Sequence, residues 1–430
     1  MGQLNMINTN EDLQKLVQYA YSDVKYYHDL FDSLNISPDE INSIEKLQLI
    51  PVLKKEYIQK DVSNFVGKTY QRYPKNSDIE LRRTSGSTGR YLKIYWHRKE
   101  NIKSLLSLWK ARNRWHSISP EMKFCSFFTV NYQGNKIAEA RQKEINYSGR
   151  NLAFCKVGLS TEKLAEYYND ILNFEPDWLN LQPSMAALLS HFIKENNMSV
   201  PKSLKYIELT GELLLDSDRN LIEDVFHIRP INMYGTNETN GIAIECNHGN
   251  LHILEDNVIV EVLKNGMPVM DEEGDIFVTC LNNYAMPFIR YETGDKGVYH
   301  SYSCPCGRNT GIITVNSGRS SDVIHLSNNV NISSYVLVSI IEYTNEYMSG
   351  AISQFQFIQR GIDDFKAVFA LKPAFINWKE AICEAFLSNI KDPRLKSIHW
   401  EFKFVDRIYP DENTGKLKYF VNKMNRLEEK

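Results

Sequence analysis

Short apolar runs in the middle of this 430-residue chain constrain its fold more than any other feature. Between residues 124 and 225 they alternate with longer segments in which apolar residues recur every three to four positions. This rhythm predicts strands and helices in turn, which is typical of an α/β layered domain with ligand loops at the strand ends. The predicted strands cover residues 124–130, 178–181 and 204–210, and the predicted helices cover residues 162–172, 184–195 and 221–225.

The pattern differs on either side of this region. The first sixty residues are helical in character, with a further helix predicted to open at the Ser-Pro-Asp-Glu segment of residues 37–40. From Leu251 the apolar residues follow period two in LHILEDNVIVEVL and GDIFVTCL, with a turn at residues 264–266, which predicts a β-rich subdomain. After Gly318 strands and helices are mixed again. The predicted strands there cover residues 354–358, 365–371 and 399–405, and the predicted helix covers residues 378–390.

These segments predict an α/β protein with two domains. The N-terminal domain, residues 1–318, would combine mixed α/β layers with the β-rich subdomain. The C-terminal domain, residues 319–430, would be a small α+β unit.

Composition and charge narrow the class of protein. At 43% hydrophobic and 24% charged residues, the chain has the composition of a soluble globular protein. Its formal net charge of −3 gives no electrostatic reason to expect a nucleic-acid partner. No apolar run approaches the roughly 18–20 residues that span a bilayer, and the first residues lack a basic-then-apolar signal pattern. We therefore expect a cytoplasmic protein without a membrane span.

The segment TSGSTG before the strand-like YLKIYW predicts a phosphate-binding loop. Alternating glycines and hydroxyls make a flexible loop whose N–H and O–H groups can surround phosphate oxygens, and Arg90 adds a positive charge. The spacing is not that of a Walker loop. The alternative is a solvated turn of the kind found in linkers. The loop consists of Thr84, Ser85, Gly86, Ser87, Thr88 and Gly89.

Three further turns place glycine or polar residues where strands are predicted to end. Gly211 and Glu212 follow one strand, and Tyr234 follows another that ends at residue 233, with an acidic residue, Glu238, close behind. Tyr234 could stack on a purine, and Glu238 offers the oxygen ligands that Mg²⁺ prefers. At the third turn the carboxylate of Asp295 could accept hydrogen bonds from a ribose diol. Taken singly, each of the first two turns is more readily interpreted as an ordinary strand-end turn.

The seven cysteines are too few, and odd in number, for a disulfide framework in a chain of this length. Four of them sit among apolar residues and are predicted to lie in the core. These are Cys125, Cys155, Cys280 and Cys383.

The other three cysteines form a candidate metal site with a histidine. Cys304 and Cys306 form a C-x-C turn, and Cys246 lies six residues before His252. Three thiolates and one imidazole are a standard structural zinc set. Because the two pairs are 52 residues apart, reduced thiols in a β-hairpin remain an alternative, and His248 is a competing ligand that we interpret as a loop residue.

In their order along the chain, these segments resemble the adenylate-forming superfamily, and most of all its phenylacetate–coenzyme A ligase and CapK-type branch. The resemblance covers nearly the whole chain. It departs from the family pattern at Arg90-Tyr91, where a Lys-Pro pair is usual, and at Ser321, where the hinge residue is normally acidic or lysine. The segments that carry it are LIPVLKK, TSGSTG, LTGE, YGTNET, IAIECNHGNLHILEDN, MPFIRYETGD, CPCGR, SGRSSDV and NTGK.

The resemblance implies an enzyme that uses ATP and Mg²⁺ to activate a carboxylic acid as its acyl-AMP. Pyrophosphate would be released and the acyl group passed to coenzyme A after the C-terminal domain rotates. A carrier-protein thiol or an amine is an alternative acceptor, a non-catalytic nucleotide-binding relative is a second alternative, and a homodimer is left open. The acid and its pathway stay open.

The resemblance also implies a role for individual residues. Ser85, Gly86, Ser87, Thr88 and Gly89, with Thr84 beside them, would bind the β- and γ-phosphates of ATP. Gly211, Glu212, Tyr234, Gly235 and Asp295 would bind adenosine. Thr236 and Glu238 would serve the α-phosphate and Mg²⁺, Arg319 a ribose or phosphate oxygen, and Lys416 the charge on the α-phosphate. The implied catalytic residues are Lys416, Glu238 and Arg319, and zinc would be structural.

The acid would be bound between the phosphate loop and the adenine turn. That stretch offers Phe128, Asn131, Tyr132 and, further along, Gln182. Aromatic rings with amides favour a flat or moderately polar acid. The alternative for each ring is ordinary core packing.

Overall fold

The computed structural model describes residues 2–71, 78–83, 92–128, 143–156, 159–317, 323–327, 330–390, 393–409 and 418–424. The chain divides into two compact units. The first unit consists of Met1–Met122, Glu208–Leu213 and Pro230–Gly318, and the second of Lys123–Ile207, Leu214–Arg229 and Arg319–Lys430.

The described helices begin and end where capping and backbone chemistry allow. For example, the hydroxyl of Ser160 accepts a hydrogen bond from the N–H of Lys163, and that helix ends at Glu175 in the left-handed conformation. The helices are α1 (Gly2–Asp23), α2 (Lys25–Leu34), α3 (Lys55–Lys60), α4 (Lys68–Gln71), α5 (Arg98–His116), α6 (Thr161–Phe174), α7 (Pro183–Glu195), α8 (Asp216–Phe226), α9 (Tyr335–Tyr347), α10 (Lys379–Ser388) and α11 (Pro393–Lys396).

The described strands are short in the second unit's first segment and longer in the β-rich region. They are β1 (Ile79–Arg83), β2 (Lys93–His97), β3 (Phe124–Phe128), β4 (Lys143–Asn146), β5 (Asn151–Cys155), β6 (Trp178–Leu181), β7 (Tyr206–Thr210), β8 (Ile231–Thr236), β9 (Asn240–Glu245), β10 (Leu251–Ile253), β11 (Val258–Lys264), β12 (Met267–Pro268), β13 (Glu273–Cys280), β14 (Tyr291–His300), β15 (Ile312–Ser317), β16 (Val323–Leu326), β17 (Val330–Ser333), β18 (Ile352–Gly361), β19 (Asp364–Leu371), β20 (His399–Val405) and β21 (Phe420–Asn422).

The first unit is built on a run of strands in the order β12-β11-β13-β14-β15-β10-β9-β8-β7. Neighbours in this run pair antiparallel, except that β8 runs parallel to β7. Alternate side chains from β9, β11 and β13, including Ile242, Val260 and Val278, meet in one apolar cluster. The predicted β-rich region is confirmed, and β11 and β13 are buried on both faces for most of their length.

The N-terminal helices pack against this sheet in the first unit. Buried side chains of α1 and α2 cluster with Ile259, Leu281 and Ile289. The hydroxyl of the fully buried Tyr27 donates to the carbonyl of Pro287 at 3.0 Å and accepts from the N–H of Ile289 at 3.1 Å. The helix pair thereby fixes the backbone just before β14.

The second unit contains two sheets. In the first, β3 lies between β5 and β6 and runs parallel to both, and β4 pairs antiparallel with β5. In the second, the strand order is β20-β19-β18-β21, and helices α9 and α10 contribute to the core that covers one of its faces. The alternation of strands and helices predicted for residues 124–225 is observed, and the α/β fold class is confirmed.

Some local predictions differ from the structure. Residues 37–40 form only a single 3₁₀ turn, Pro38–Glu40, closed by a capping box between Ser37 and Glu40. The helix predicted to start at Trp378 begins as the 3₁₀ segment Pro373–Trp378 and becomes α-helical at Lys379. Cys383 is only half-buried, in contrast to the buried Cys125, Cys155 and Cys280, so the prediction that it lies in the core was wrong. In the part of the chain that the structure describes, no helix is both long and apolar enough to cross a bilayer.

Candidate active site and metal centre

The predicted adenine turn lies at the carboxyl end of β7. Because Thr210 pairs with Met233 in the parallel β7–β8 ladder, Gly211 and Tyr234 follow at the same edge of the sheet. Gly211 has a φ of 84°, a left-handed conformation that glycine adopts without a steric penalty. The ends of these two strands therefore bring two of the predicted binding segments side by side.

Residues 234–236 lie within β8, although the sequence analysis predicted that the strand ends before them. The β8–β9 pairing shifts register between Tyr234 and Gly235, so the strand continues through a bulge. Such irregularities re-aim side chains next to binding sites. At Gly235 an added Cβ would lie 2.5 Å from the backbone oxygen of Asn240, so only glycine fits without movement.

Replacement of Gly235 by alanine is therefore expected to destabilise the protein by about 1–3 kcal/mol, because the backbone of β8 or β9 must move. Thermal unfolding measures this as a fall of several degrees in the Tm. Gly361→Ala is the matched control, since its Cβ would meet Asp364 at an ordinary 3.5 Å. Equal melting temperatures for the two variants would contradict the close-approach argument.

Two hydrogen bonds join residues 234–238 to β14. The hydroxyl of Tyr234 donates to a carboxylate oxygen of Asp295 at 2.8 Å. The hydroxyl of Tyr291 donates to Glu238 Oε1 at 2.9 Å, and Glu238 is 6% exposed. The predicted base-stacking, ribose-binding and Mg²⁺-binding residues of this unit are thus held in one place by direct contacts.

These contacts require the sheet to curve strongly. Strands β15, β10 and β9 lie between β14 and β8, and four strand spacings in a flat sheet would separate the two by about 19 Å. Contacts of 2.8 and 2.9 Å between their side chains mean that the sheet folds back on itself. Register shifts accompany this curvature in β13 before Phe277, in β14 before Gly297 and in β8 before Gly235.

Tyr291 is a residue of the candidate site that the sequence alone did not single out. It lies within the quoted segment MPFIRYETGD, but no role was assigned to it. Its position is fixed by a parallel bridge to Leu53, where the N–H of Leu53 donates to the carbonyl of Arg290 and the N–H of Glu292 to the carbonyl of Leu53. The segment LIPVLKK therefore acts as a support for the site.

The segment after β8 has two further supports. The hydroxyls of Thr236 and Thr239 are 2.9 Å apart, and the N–H of Thr239 donates to Thr236 Oγ1. The indole N–H of the buried Trp96 donates to the carbonyl of Asn237 at 3.1 Å. These contacts define the path of the backbone on both sides of Glu238.

Glu238 has the surroundings of a cation ligand. Among the described residues, Tyr291 is the one hydrogen-bond donor to its carboxylate, and it serves Oε1. A buried carboxylate with one such bond is costly unless a cation or further donors complete its surroundings. Carboxylate and threonine oxygens suit Mg²⁺, so Glu238 and Thr236 fit the predicted role.

Several predicted site residues lie outside the described residues. They are Thr84, Ser85, Gly86, Ser87, Thr88, Gly89, Arg90, Asn131, Tyr132, Arg319 and Lys416. In the second unit, Phe128 is the last residue of β3 and Gln182 directly follows β6. Because these neighbouring strands run parallel, both residues lie at the same sheet edge. Glu212, in the first unit, is half-buried beside Gly211.

The cysteine and histidine side chains meet in the first unit. The metal-binding atoms of Cys246, His252, Cys304 and Cys306 all lie within 4.8 Å of one another. Cys246 Sγ is 3.6 Å from Cys304 Sγ, and Cys306 Sγ is 3.2 Å from His252 Nε2. Tetrahedral zinc–thiolate geometry places two sulfurs about 3.8 Å apart, whereas a disulfide places them about 2.05 Å apart.

The surroundings of this cluster favour ligation. His252 Nδ1 is 2.9 Å from Thr310 Oγ1, which leaves Nε2 toward the sulfurs. Burial, and then the charge of Arg308, lowers the pKa of His252 to about 4, so its ring is neutral at pH 7. The amide of Asn250 donates to Cys304 Sγ at 3.1 Å, a contact that favours a thiolate. Three sulfurs and one nitrogen form a closed set, which is typical of a structural zinc centre.

Comparison with known proteins gives relatives along most of the chain, although no protein-family model matches it. Over 306 residues the chain is 24% identical to a phenylacetate–coenzyme A ligase of Thermus thermophilus. The aligned region covers 69% of this chain and 66% of that ligase. Over 425 residues the chain is 22% identical to protein CapK of Staphylococcus aureus. The aligned region covers 96% of this chain and 88% of CapK.

Solved structures share the fold. A crystal structure of 2-hydroxyisobutyryl-CoA ligase in complex with R3-HIB-AMP matches with a TM-score of 0.74 at 16% identity, covering 98% of this chain and 90% of that one. The chain therefore has the fold of this ligase, as the resemblance to the adenylate-forming superfamily implies. An anthranilate CoA ligase in complex with anthranoyl-AMP matches with a TM-score of 0.54 at 16% identity, covering 82% and 67% of the two chains. The resemblance of the sequence to the phenylacetate–coenzyme A ligase and CapK branch of this superfamily is confirmed.

Proposed function

We propose that this adenylate-forming protein activates a carboxylic acid in two steps. In the first, a carboxylate oxygen attacks the α-phosphorus of ATP, which gives acyl-AMP and releases pyrophosphate. In the second, a thiol, in our proposal that of coenzyme A, attacks the acyl carbon, releases AMP and gives up its proton. Neither step needs a protein nucleophile, because positioning and charge neutralisation supply the rate enhancement.

The observation that carries this proposal is the pair of contacts Tyr234–Asp295 and Tyr291–Glu238 in the first unit. Asp295 would accept from the ribose hydroxyls, and the ring of Tyr234, oriented by that carboxylate, would stack on adenine. Glu238 and Thr236 would hold Mg²⁺, which neutralises charge on the phosphates when bound. The names of the relatives, a phenylacetate–coenzyme A ligase and ligases crystallised with acyl-adenylates, support this assignment.

The remaining roles extend the proposal beyond the described residues. The loop of Ser85, Gly86, Ser87, Thr88 and Gly89 would bind the β- and γ-phosphates. Arg319 would contact a ribose or phosphate oxygen, and Lys416 would stabilise charge on the α-phosphate as a point charge.

ATP–pyrophosphate exchange with purified protein tests the proposal. A panel of aromatic, fatty and amino acids is assayed with coenzyme A omitted, so that only the first step is measured. We expect one class of acid to stimulate exchange. No exchange across the panel, with ATP binding demonstrated separately, would contradict the proposal. With the active acid in hand, adding coenzyme A, a carrier-protein thiol or an amine identifies the acceptor from the product.

We further propose that Cys246, His252, Cys304 and Cys306 hold a structural zinc ion. All four ligand positions come from the protein, so the ion would have no open position for catalysis. It would tie the end of β9 and strand β10 to the turn between β14 and β15, close to the strands that carry the candidate site.

Metal analysis checks the zinc proposal. The purified chain should contain one zinc ion, and Cys304→Ser should lower the zinc content several-fold and lower the Tm, because a three-ligand site binds more weakly. Cys383→Ser is the control, since this half-buried thiol lies outside the cluster and should leave the zinc content unchanged. A metal-free wild-type protein, or full zinc content in Cys304→Ser, would contradict it.

A further inference from the structure

The C-terminal sheet of the second unit has one face that the proposed function does not use. Phe357, Phe365 and Phe369 point to the face covered by α9 and α10. Because side chains alternate along strands, the residues between them point to the other face. There, side chains from β18, β19, β20 and the segments after β20 and β21 line a cavity of about 470 Å³, a volume typical of small-molecule sites.

Five cationic side chains line this cavity: Arg360, Lys366, Lys403, Arg407 and Lys423. Three of them are anchored by carboxylates. Lys366 pairs with Glu401 at 2.6 Å, Arg360 contacts the same carboxylate and pairs with Asp364 at 2.7 Å, and Arg407 pairs with Glu195 at 2.5 Å.

Cationic charge exceeds anionic charge around the cavity. Three carboxylates pair with three of the five cations, and among the described residues Lys403 and Lys423 have no ion-pair partner. A concave surface lined by excess positive charge concentrates anionic ligands. The charge balance therefore favours an anion with more than one negative group.

The two arginines retain donors that no described residue uses. Nε of Arg360 and Nη1 of Arg407 are buried, and neither has a hydrogen-bond acceptor among the described residues. Arg360 donates through its two Nη atoms to Glu401 and Asp364, and Arg407 donates through Nη2 to Glu195. Because solvent reaches neither atom, these two donors do not face the open cavity, and the case for an anionic ligand rests on the charge balance of the lining.

The floor of the cavity is apolar and one wall is aromatic. Val368 and Ile408 are buried, and Ile358 and Val405 lie beside them. Tyr409 lines the cavity and is held in place by a 2.6 Å hydrogen bond between its hydroxyl and Thr161. An apolar floor with an aromatic ring suits the flat face of a base, whereas inorganic phosphate alone would gain nothing from it.

We propose that this cavity binds a nucleotide carrying at least two phosphate groups, with residues other than those of the candidate active site. The base would lie on the apolar floor near Tyr409, and the phosphates would meet the lysines and arginines. A free nucleotide and the phosphorylated adenosine end of coenzyme A share this chemistry. The inference holds whether or not the chain makes acyl-AMP, because none of the described residues that line the cavity has a role in the proposed reaction.

Calorimetric titration of the full-length protein with adenosine 3′,5′-bisphosphate tests the proposal. The test variant is Lys403→Ala/Lys423→Ala, which removes the two unpaired cations. The control is Lys46→Ala/Lys202→Ala, which makes the same charge change at two exposed lysines outside the cavity. We expect the test variant to bind about tenfold more weakly and the control to bind like wild type. Both variants should keep wild-type ATP–pyrophosphate exchange, which separates this test from that of the proposed function.

Absence of binding to the wild type, or equal binding by all three proteins, would overturn the proposal. A second titration with coenzyme A, 3′-dephospho-coenzyme A and ADP separates the sources of the ligand. Coenzyme A binding that depends on its 3′-phosphate and on Lys403 and Lys423 would assign the cavity to coenzyme A. ADP binding with the same dependence would assign it to a free nucleotide, and pyrophosphate binding as tightly as either would overturn the assignment of a base to the floor.

Discussion

Replacement of Glu238 by glutamine is expected to lower ATP–pyrophosphate exchange by about 100-fold or more. Glutamine removes the negative charge proposed to hold Mg²⁺, while its side-chain oxygen can still accept the hydrogen bond from Tyr291. The fold should therefore survive the change. The measurement is kcat/KM for exchange at several Mg²⁺ concentrations, with the circular dichroism spectrum and the Tm recorded for the same preparations.

Tyr291→Phe provides the comparison for this variant. It removes the hydroxyl that positions the carboxylate but keeps the negative charge, so we expect a loss of about tenfold at most. If Glu238→Gln keeps wild-type exchange, Glu238 has no part in the reaction. If the two variants lose the same amount of activity, the carboxylate acts through its orientation and not through its charge.

Replacement of Arg290 by alanine is expected to destabilise the first unit by about 3–5 kcal/mol, because it leaves a buried carboxylate without its partner. The Arg290 side chain is 5% exposed and that of Glu261 is 11% exposed, and two hydrogen bonds of 3.0 and 2.9 Å join them. Arg290 also donates to the carbonyl of Ile50 at 2.6 Å. It thus connects β11, β14 and the N-terminal segment that supports Tyr291.

Scanning calorimetry should show this loss as a fall in the Tm on the order of 10 °C. The control is Lys194→Ala, which breaks the exposed pair with Asp224, whose side chains are 61% and 62% exposed. Exposed pairs contribute less than about 1 kcal/mol, so its Tm should change little. A similar small change for Arg290→Ala would show that the buried pair does not stabilise the first unit.

The overall architecture could be predicted because it depends on local patterns. The short apolar runs of β11 and β13 follow from strands that pack inside the protein, and the helical spacing of α6 and α7 follows from helices that pack against a core. The metal cluster could be predicted because three cysteines and one histidine, closely spaced within two segments, are typical ligands of a structural zinc ion. Its four residues come from two segments 52 residues apart, and the antiparallel pairing of β10 with its neighbours β9 and β15 brings them together.

The details of the site could not be predicted because they depend on contacts between distant segments. The glycine and asparagine after Tyr234 predict a turn there, but pairing with β9 through a bulge extends strand β8 to Thr236. Nothing in the sequence indicated that Tyr291 would reach Glu238, because that contact needs the sheet to curve back on itself. Cys383 lies among apolar letters but on a helix face that is only half-covered.

The central claim, direct attack of a carboxylate on the α-phosphorus of ATP, is tested most directly by oxygen transfer. The acid that stimulates exchange is labelled with ¹⁸O in its carboxyl group and incubated with ATP, Mg²⁺ and the acceptor, and the products are analysed by mass spectrometry. The account predicts one ¹⁸O atom in AMP and none in pyrophosphate, since the attacking oxygen stays with the α-phosphorus when the acyl group leaves. Label in inorganic phosphate together with ADP, or unlabelled AMP, would contradict it.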